Sequence, residues 1–167
     1  MSITHSQLLN IVNQRHLTGV QREDRRKLVF QHLIRNSKLI GSGNFAAISS
    51  EDLGTLFHAI DENYFDGTVS ALCEETAASP LKFRLSTRMT SSGGMTTMHR
   101  QTGFGRRKKY EIAVATTPLF ETFKLDSSAR VGGLECRNRL EALQRIMEHE
   151  LIHLIEMLLW EHSNCSA

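Results

Sequence analysis

"MEHELIHLIEMLLW" (Met147–Trp160) decides how this chain folds. It holds no glycine or proline and is long enough for about four helical turns. Projected at about 100° per residue, His149 and His153 fall about 40° apart, with Glu156 about 20° to the other side of His149. The three form one narrow stripe, and Glu150 sits beside it. The rest of residues 151–160 is Leu, Ile, Met and Trp on nearly all sides. A helix apolar all round is a buried helix, so the spacing predicts a long C-terminal helix packed in the core. The helical pattern begins at about Leu134 and holds through Trp160 or Glu161.

Polar groups in such a helix need partners, because an unsatisfied buried one costs about 1–3 kcal/mol. One partner serves two imidazoles a turn apart at once: a divalent metal ion. His149-Glu150-x-x-His153 is the H-E-x-x-H pattern, whose histidines reach one zinc ion at about 2.0–2.1 Å. Glu150, next to the pair, takes a proton from metal-bound water and passes it to a leaving amine. The plainer reading is two core histidines hydrogen-bonded to backbone or carboxylates. A catalytic zinc needs a third protein ligand. His162, nine residues past His153 where the helix should end, is the first candidate. Glu156 is the alternative, either as a ligand or as a carboxylate orienting an imidazole. Glu161 ranks behind both.

Upstream, residues 5–38 read as helix with Gly19 dividing two pieces, and 41–50 reads as a loop. Ser49 followed by Asp52 reads as a capping pair opening a helix to about Tyr64, and "FDGT" (65–68) as a turn. Residues 83–89 alternate, "SSGG" (91–94) turns into 95–99, and "YEIAVAT" (110–116) alternates again. Between the last two lies the basic loop "TGFGRRKK" (102–109), and "SSARVGG" (127–133) reads as another loop. Helices, then a small sheet, then a long helix make an α+β domain. The length suits one domain spanning 1–167, with residues 1–48 a helical extension and 49–167 the core.

The formal net charge of +2 permits nucleic-acid contact without arguing for it. Cys73, Cys136 and Cys165 are odd in number and form no C-x-x-C pair, which suits reduced thiols in a cytoplasmic protein. No apolar run reaches the roughly 20 residues that span a bilayer, and no signal peptide is expected.

"HELIHLIEMLLW" (149–160) resembles the active-site helix of the SprT-like metallopeptidases, the group that includes Spartan. "DENYFDGTV" (61–69) resembles the segment before their sheet. "FRLSTRMTSSGGMTT" (83–97) and "YEIAVATTPLF" (110–120) resemble their hairpin and following strand, in the same order. The resemblance covers about residues 50–162 and implies a minimal zincin-like fold, a small and mainly antiparallel three-stranded sheet, one catalytic Zn2+ per chain and peptide-bond hydrolysis. It carries the metal pair to His149 and His153 and the catalytic glutamate to Glu150. The family's third histidine sits further downstream in an H-G context, whereas here the context is "HSNCSA" (162–167). The core is therefore expected to be cut short at its C-terminal end.

The expected substrate is a polypeptide lying along an edge strand, with "RLSTRMTSSGG" (84–94) as that edge and Arg88, Thr90, Ser91, Ser92 and Gly93 as contacts. Some members of the family cleave proteins crosslinked to DNA. Arg106, Arg107, Lys108 and Lys109 are accordingly the residues expected to meet phosphates, with a nucleoid- or nucleus-associated location. The competing function is a non-catalytic metal-binding scaffold. Glu150 argues against it, since a structural site has no use for an acid–base group.

Overall fold

The computed structural model describes residues 2–100, 107–123 and 128–162. Arg106 and Cys165 lie outside the described residues. The chain is α+β, with six helices, a mixed three-stranded sheet and a two-stranded one among the described residues.

The N-terminal helical stretch divides into α1 (Ile3–Gln14) and α2 (Gly19–Asn36). Thr18 makes the break: its side chain accepts from the Gln21 amide while the Gln21 side chain accepts from the Thr18 amide. α3 (Ser50–Phe65) opens as predicted, with Ser49 and Asp52 capping each other. It ends in two consecutive left-handed residues, Asp66 (φ 56°) and Gly67 (φ 72°), which Asp and Gly tolerate better than other residues. Sequence periodicity missed the next helix, α4 (Thr68–Thr76). Its cap comes from outside: Asp61 of α3, fully buried, accepts from Val69 N (3.1 Å), Ser70 N (2.8 Å) and Ser70 Oγ (2.6 Å). A capping carboxylate so far upstream leaves no local signature.

The sheet holds β1 (Lys82–Ser86), β2 (Gly94–Arg100) and β3 (Lys108–Ala115) in the order β1-β3-β2. β2 is antiparallel to β3, but β1 is parallel to it. Two expectations are therefore corrected. The sheet is mixed rather than mainly antiparallel, and 83–97 is no hairpin, because "SSGG" carries the chain from one edge of the sheet to the other. The physical reason lies in β3. Tyr110, Ile112, Ala113, Val114 and Ala115 are all buried, so this strand is apolar on both faces and takes the centre. β1 and β2 are only partly buried and fall to the edges. Lys108 and Lys109 open β3 rather than belonging to the predicted loop.

β3 runs directly into α5 (Thr116–Thr122), whose first turn accommodates Pro118. The predicted loop at 127–133 is in part a hairpin of β4 (Ala129–Val131) and β5 (Leu134–Cys136). Its two-residue turn needs positive φ at both positions, and Gly132 (56°) and Gly133 (79°) supply it. α6 (Arg139–Trp160) follows, starting later than the periodicity indicated because β5 occupies Leu134–Cys136.

α3 packs on β1 through the Phe57 and Phe83 rings, 5.4 Å apart, and α6 lies across β2. Leu140, Leu143, Met147, Leu151 and Leu154 of α6 are fully buried. Ile152 (52% exposed) and Trp160 (47%) are not, so the helix predicted to be buried all round keeps one open apolar flank. Leu8, Val29, Leu33 and Ile40 join the same core cluster, so α1 and α2 pack into it. Cys73 and Cys136 are buried, unbridged thiols, and burial pushes the Cys73 thiol up to about 12. Among the described residues no helix is long and apolar enough to cross a membrane.

Candidate metal centre

The site begins with how α6 is anchored. Its first turn leaves backbone donors without helical partners. Asn138 accepts from Glu141 N (2.9 Å), Gly43 O from Leu140 N (2.9 Å) and Asn44 Oδ1 from Arg139 N (3.1 Å). The 41–45 loop thus holds the start of the helix, and a Cβ on Gly43 would lie 2.7 Å from the Asn138 side chain. On the other flank, Arg26 of α2 pairs with Glu148 (3.5 Å), and the Gln144 amide donates to Arg26 O (3.3 Å). Burial raises the Glu148 carboxyl above the ordinary range, and Arg26 opposes that shift.

Two and a half turns in, the predicted stripe forms. His149 Nε2 and His153 Nε2 face each other at 3.0 Å, their rings edge to face with centroids 4.5 Å apart. Glu156 Oε2 lies 3.2 Å from His153 Nδ1. A proton held on Nδ1 by that carboxylate leaves the His153 Nε2 lone pair aimed at His149. Glu156 therefore stands where an orienting carboxylate belongs. The fit to a metal is set by the donors. Two nitrogens on one tetrahedral zinc at about 2.05 Å lie about 3.3 Å apart, which a small rotation of the imidazoles reaches from the observed separation. The pair supplies two of the three protein ligands that a catalytic zinc needs.

A third ligand does not join them. Among the described residues no group of three or more His, Cys, Asp or Glu side chains gathers as a metal would require. His162 follows the left-handed Glu161 (φ 61°), and its Nδ1 lies 2.7 Å from Trp160 O. With α6 intact to Trp160, seven residues of rise put the end of the helix about 10 Å along the axis from His153.

Glu150 is 3% exposed. Its Oε2 accepts from Thr96 Oγ1 of β2 at 2.8 Å, and the same hydroxyl lies 2.9 Å from the Glu150 carbonyl oxygen. The two glycines read as a turn have a different role. A Cβ on Gly94 would sit 2.6 Å from Glu150 Oε1, and one on Gly93 would sit 3.0 Å from Ile146. Gly93 and Gly94 let helix and strand approach closely.

A cleft of about 580 Å³ opens over this stripe. Ser92 to Thr96 form one wall, Val131 and Gly132 of the β4–β5 turn another, and Ile146, His149, Glu150, His153 and Met157 the floor. Of the predicted substrate contacts, Ser92 and Gly93 line it, whereas Arg88, Thr90 and Ser91 are exposed in the β1–β2 connection and do not. The edge strand beside the imidazoles is β2, and β1 is the far edge of the sheet. Sequence reading missed Gly94, Met95 and Thr96. Their only signal was position in a strand following a Gly-Gly step.

Lys108 pairs with Glu161 (2.7 Å), which Arg100 also reaches (3.4 Å). Arg107 and Lys109 are exposed. No protein-family model, no curated protein and no solved structure matches this chain.

Proposed function

We propose that the chain is a zinc-dependent metallopeptidase of the H-E-x-x-H class, acting on polypeptide. The observation that carries the reading is one helix face: two imidazole nitrogens converge to 3.0 Å beside a buried glutamate, under an open cleft. The SprT-like resemblance rests on the motifs quoted above and points to the same chemistry. His149 and His153 would hold the metal, and we assign the third position to His162, just beyond the last turn of α6. Zinc in such a site supplies Lewis-acid polarisation of a carbonyl and acidifies water.

The chain's own residues supply the rest. Glu156 keeps the His153 ring turned so that Nε2 faces the site. Glu150, buried against β2, takes the proton of the attacking water and delivers it to the leaving amine. The free edge of β2 offers main-chain groups to an extended peptide, and the apolar cleft walls seat its side chains. Glu150→Gln is the test. It should keep fold and zinc content while hydrolysis of an unfolded protein falls about 10²–10⁴-fold. Activity within about threefold of the parent at equal zinc refutes the role of Glu150. Zinc binding with no hydrolysis by the parent identifies a metal-binding scaffold instead.

A further inference from the structure

The zinc pair and Glu150 sit on one helix, but the carboxyl of Glu150 is held by another element. Glu150 has three rotatable side-chain bonds, so an outside element must hold the carboxyl in place. β2 does so in two ways. Thr96 Oγ1 lies 2.8 Å from Oε2, and the bare backbone of Gly94 faces Oε1 and Cγ so closely that a Cβ would come within 2.7 Å of either. Both contacts are set by the sheet, since Gly94 pairs with Val114 and Thr96 with Ile112 in the ladder to the buried central strand.

Resting on the peptidase reading above, we propose that Thr96 is the positioning residue for Glu150, with Gly94 as the floor that admits the carboxyl. A β-branched side chain holds few χ1 rotamers in a strand, so its hydroxyl is a directed donor. That hydroxyl has one proton and two acceptors within reach, Glu150 Oε2 and Glu150 O. While the glutamate is a carboxylate, the proton is donated to Oε2.

The experiment compares Thr96→Val, Thr96→Ser and Gly94→Ala in the zinc-loaded chain, with Glu150→Gln as reference. Valine keeps the shape of threonine and favours the strand, so folding and zinc content should hold. Thr96→Val should lower kcat about 10–100-fold, the range for residues that orient an active group, with KM unchanged. Thr96→Ser should stay within about threefold of the parent. Gly94→Ala should lower kcat without touching Thr96. Crystal structures of Thr96→Val and Gly94→Ala should show the Glu150 carboxyl moved by more than about 0.5 Å. A Thr96→Val chain with parental kcat while Glu150→Gln is inactive overturns this proposal and leaves the peptidase reading standing. Parental activity of Glu150→Gln overturns the peptidase reading. A Glu150 carboxyl unmoved in both crystal structures overturns the positioning role whatever the activities.

Discussion

Zinc removal and reloading is the most direct perturbation of this structure. In the metal-free chain, His153 Nε2 is an acceptor if Glu156 holds its Nδ1 proton, and His149 must then donate across the 3.0 Å gap. Loading zinc replaces that one hydrogen bond by two metal bonds and opens the gap to about 3.3 Å, a shift small enough for the imidazoles to absorb. The ion binds the folded chain and stabilises it by RT ln(1 + [Zn]/Kd), about 2.7 kcal/mol at a hundredfold excess over Kd. For a domain of this size that is a rise in Tm of about 5–10 °C. Differential scanning calorimetry with and without zinc reads it directly. The double variant His149→Ala/His153→Ala should show no rise. Glu156→Gln should weaken zinc affinity about 10–100-fold in competitive chelation and so shrink the rise to about 1–6 °C at the same zinc concentration, because it loosens the imidazole without removing a ligand. His162→Ala should weaken it further, and parental affinity in that variant removes His162 from the ligand set. An unchanged rise in the double variant, or no rise in the parent, refutes the site.

Two further expectations concern the frame. Asp61→Ala strips the acceptor from three donors at the start of α4 and should destabilise by about 3–4 kcal/mol in urea unfolding, whereas a loss below about 1 kcal/mol would show the cap to be idle. The Arg15 guanidinium, hydrogen-bonded to Asp66, holds the Asp66 carboxyl below its ordinary range. A lowered folded pKa stabilises above the unfolded value and is lost as pH falls through the folded one. Asp66→Asn should therefore be less stable than the parent at pH 7, by under about 1 kcal/mol for so exposed a pair. Stability curves of the two proteins should converge as pH falls through the lowered pKa of Asp66, and a gap that persists once the carboxyl is protonated rejects the ion pair as its cause.

The chemistry-bearing stripe was legible because it is local. His149, Glu150, His153 and Glu156 share one helix, and helical periodicity alone places them together. The same holds for the Ser49–Asp52 cap and the "DG" turn, whose signals span a few residues. What failed was non-local. β1 and β2 are half-buried strands joined by a glycine-rich link, which locally reads as a hairpin. Only the fully apolar β3, further along the chain, drives itself between them. α4 escaped notice because its cap sits on another helix. The 127–133 stretch read as a loop because strands of three residues are too short to show alternation.

By itself, then, the sequence determined the long final helix, the pair of imidazoles one turn apart and the glutamate between them, since all follow from a repeat of 3.6 residues. Tertiary structure alone decided which strand lies beside that helix, that Gly93 and Gly94 exist for close approach, and that Thr96 meets Glu150 across 54 residues of chain. It also decided that a straight α6 carries His162 away from the pair. These depend on how the core closes, because burial selects strand order and helix crossing by total apolar area, a quantity no short window contains.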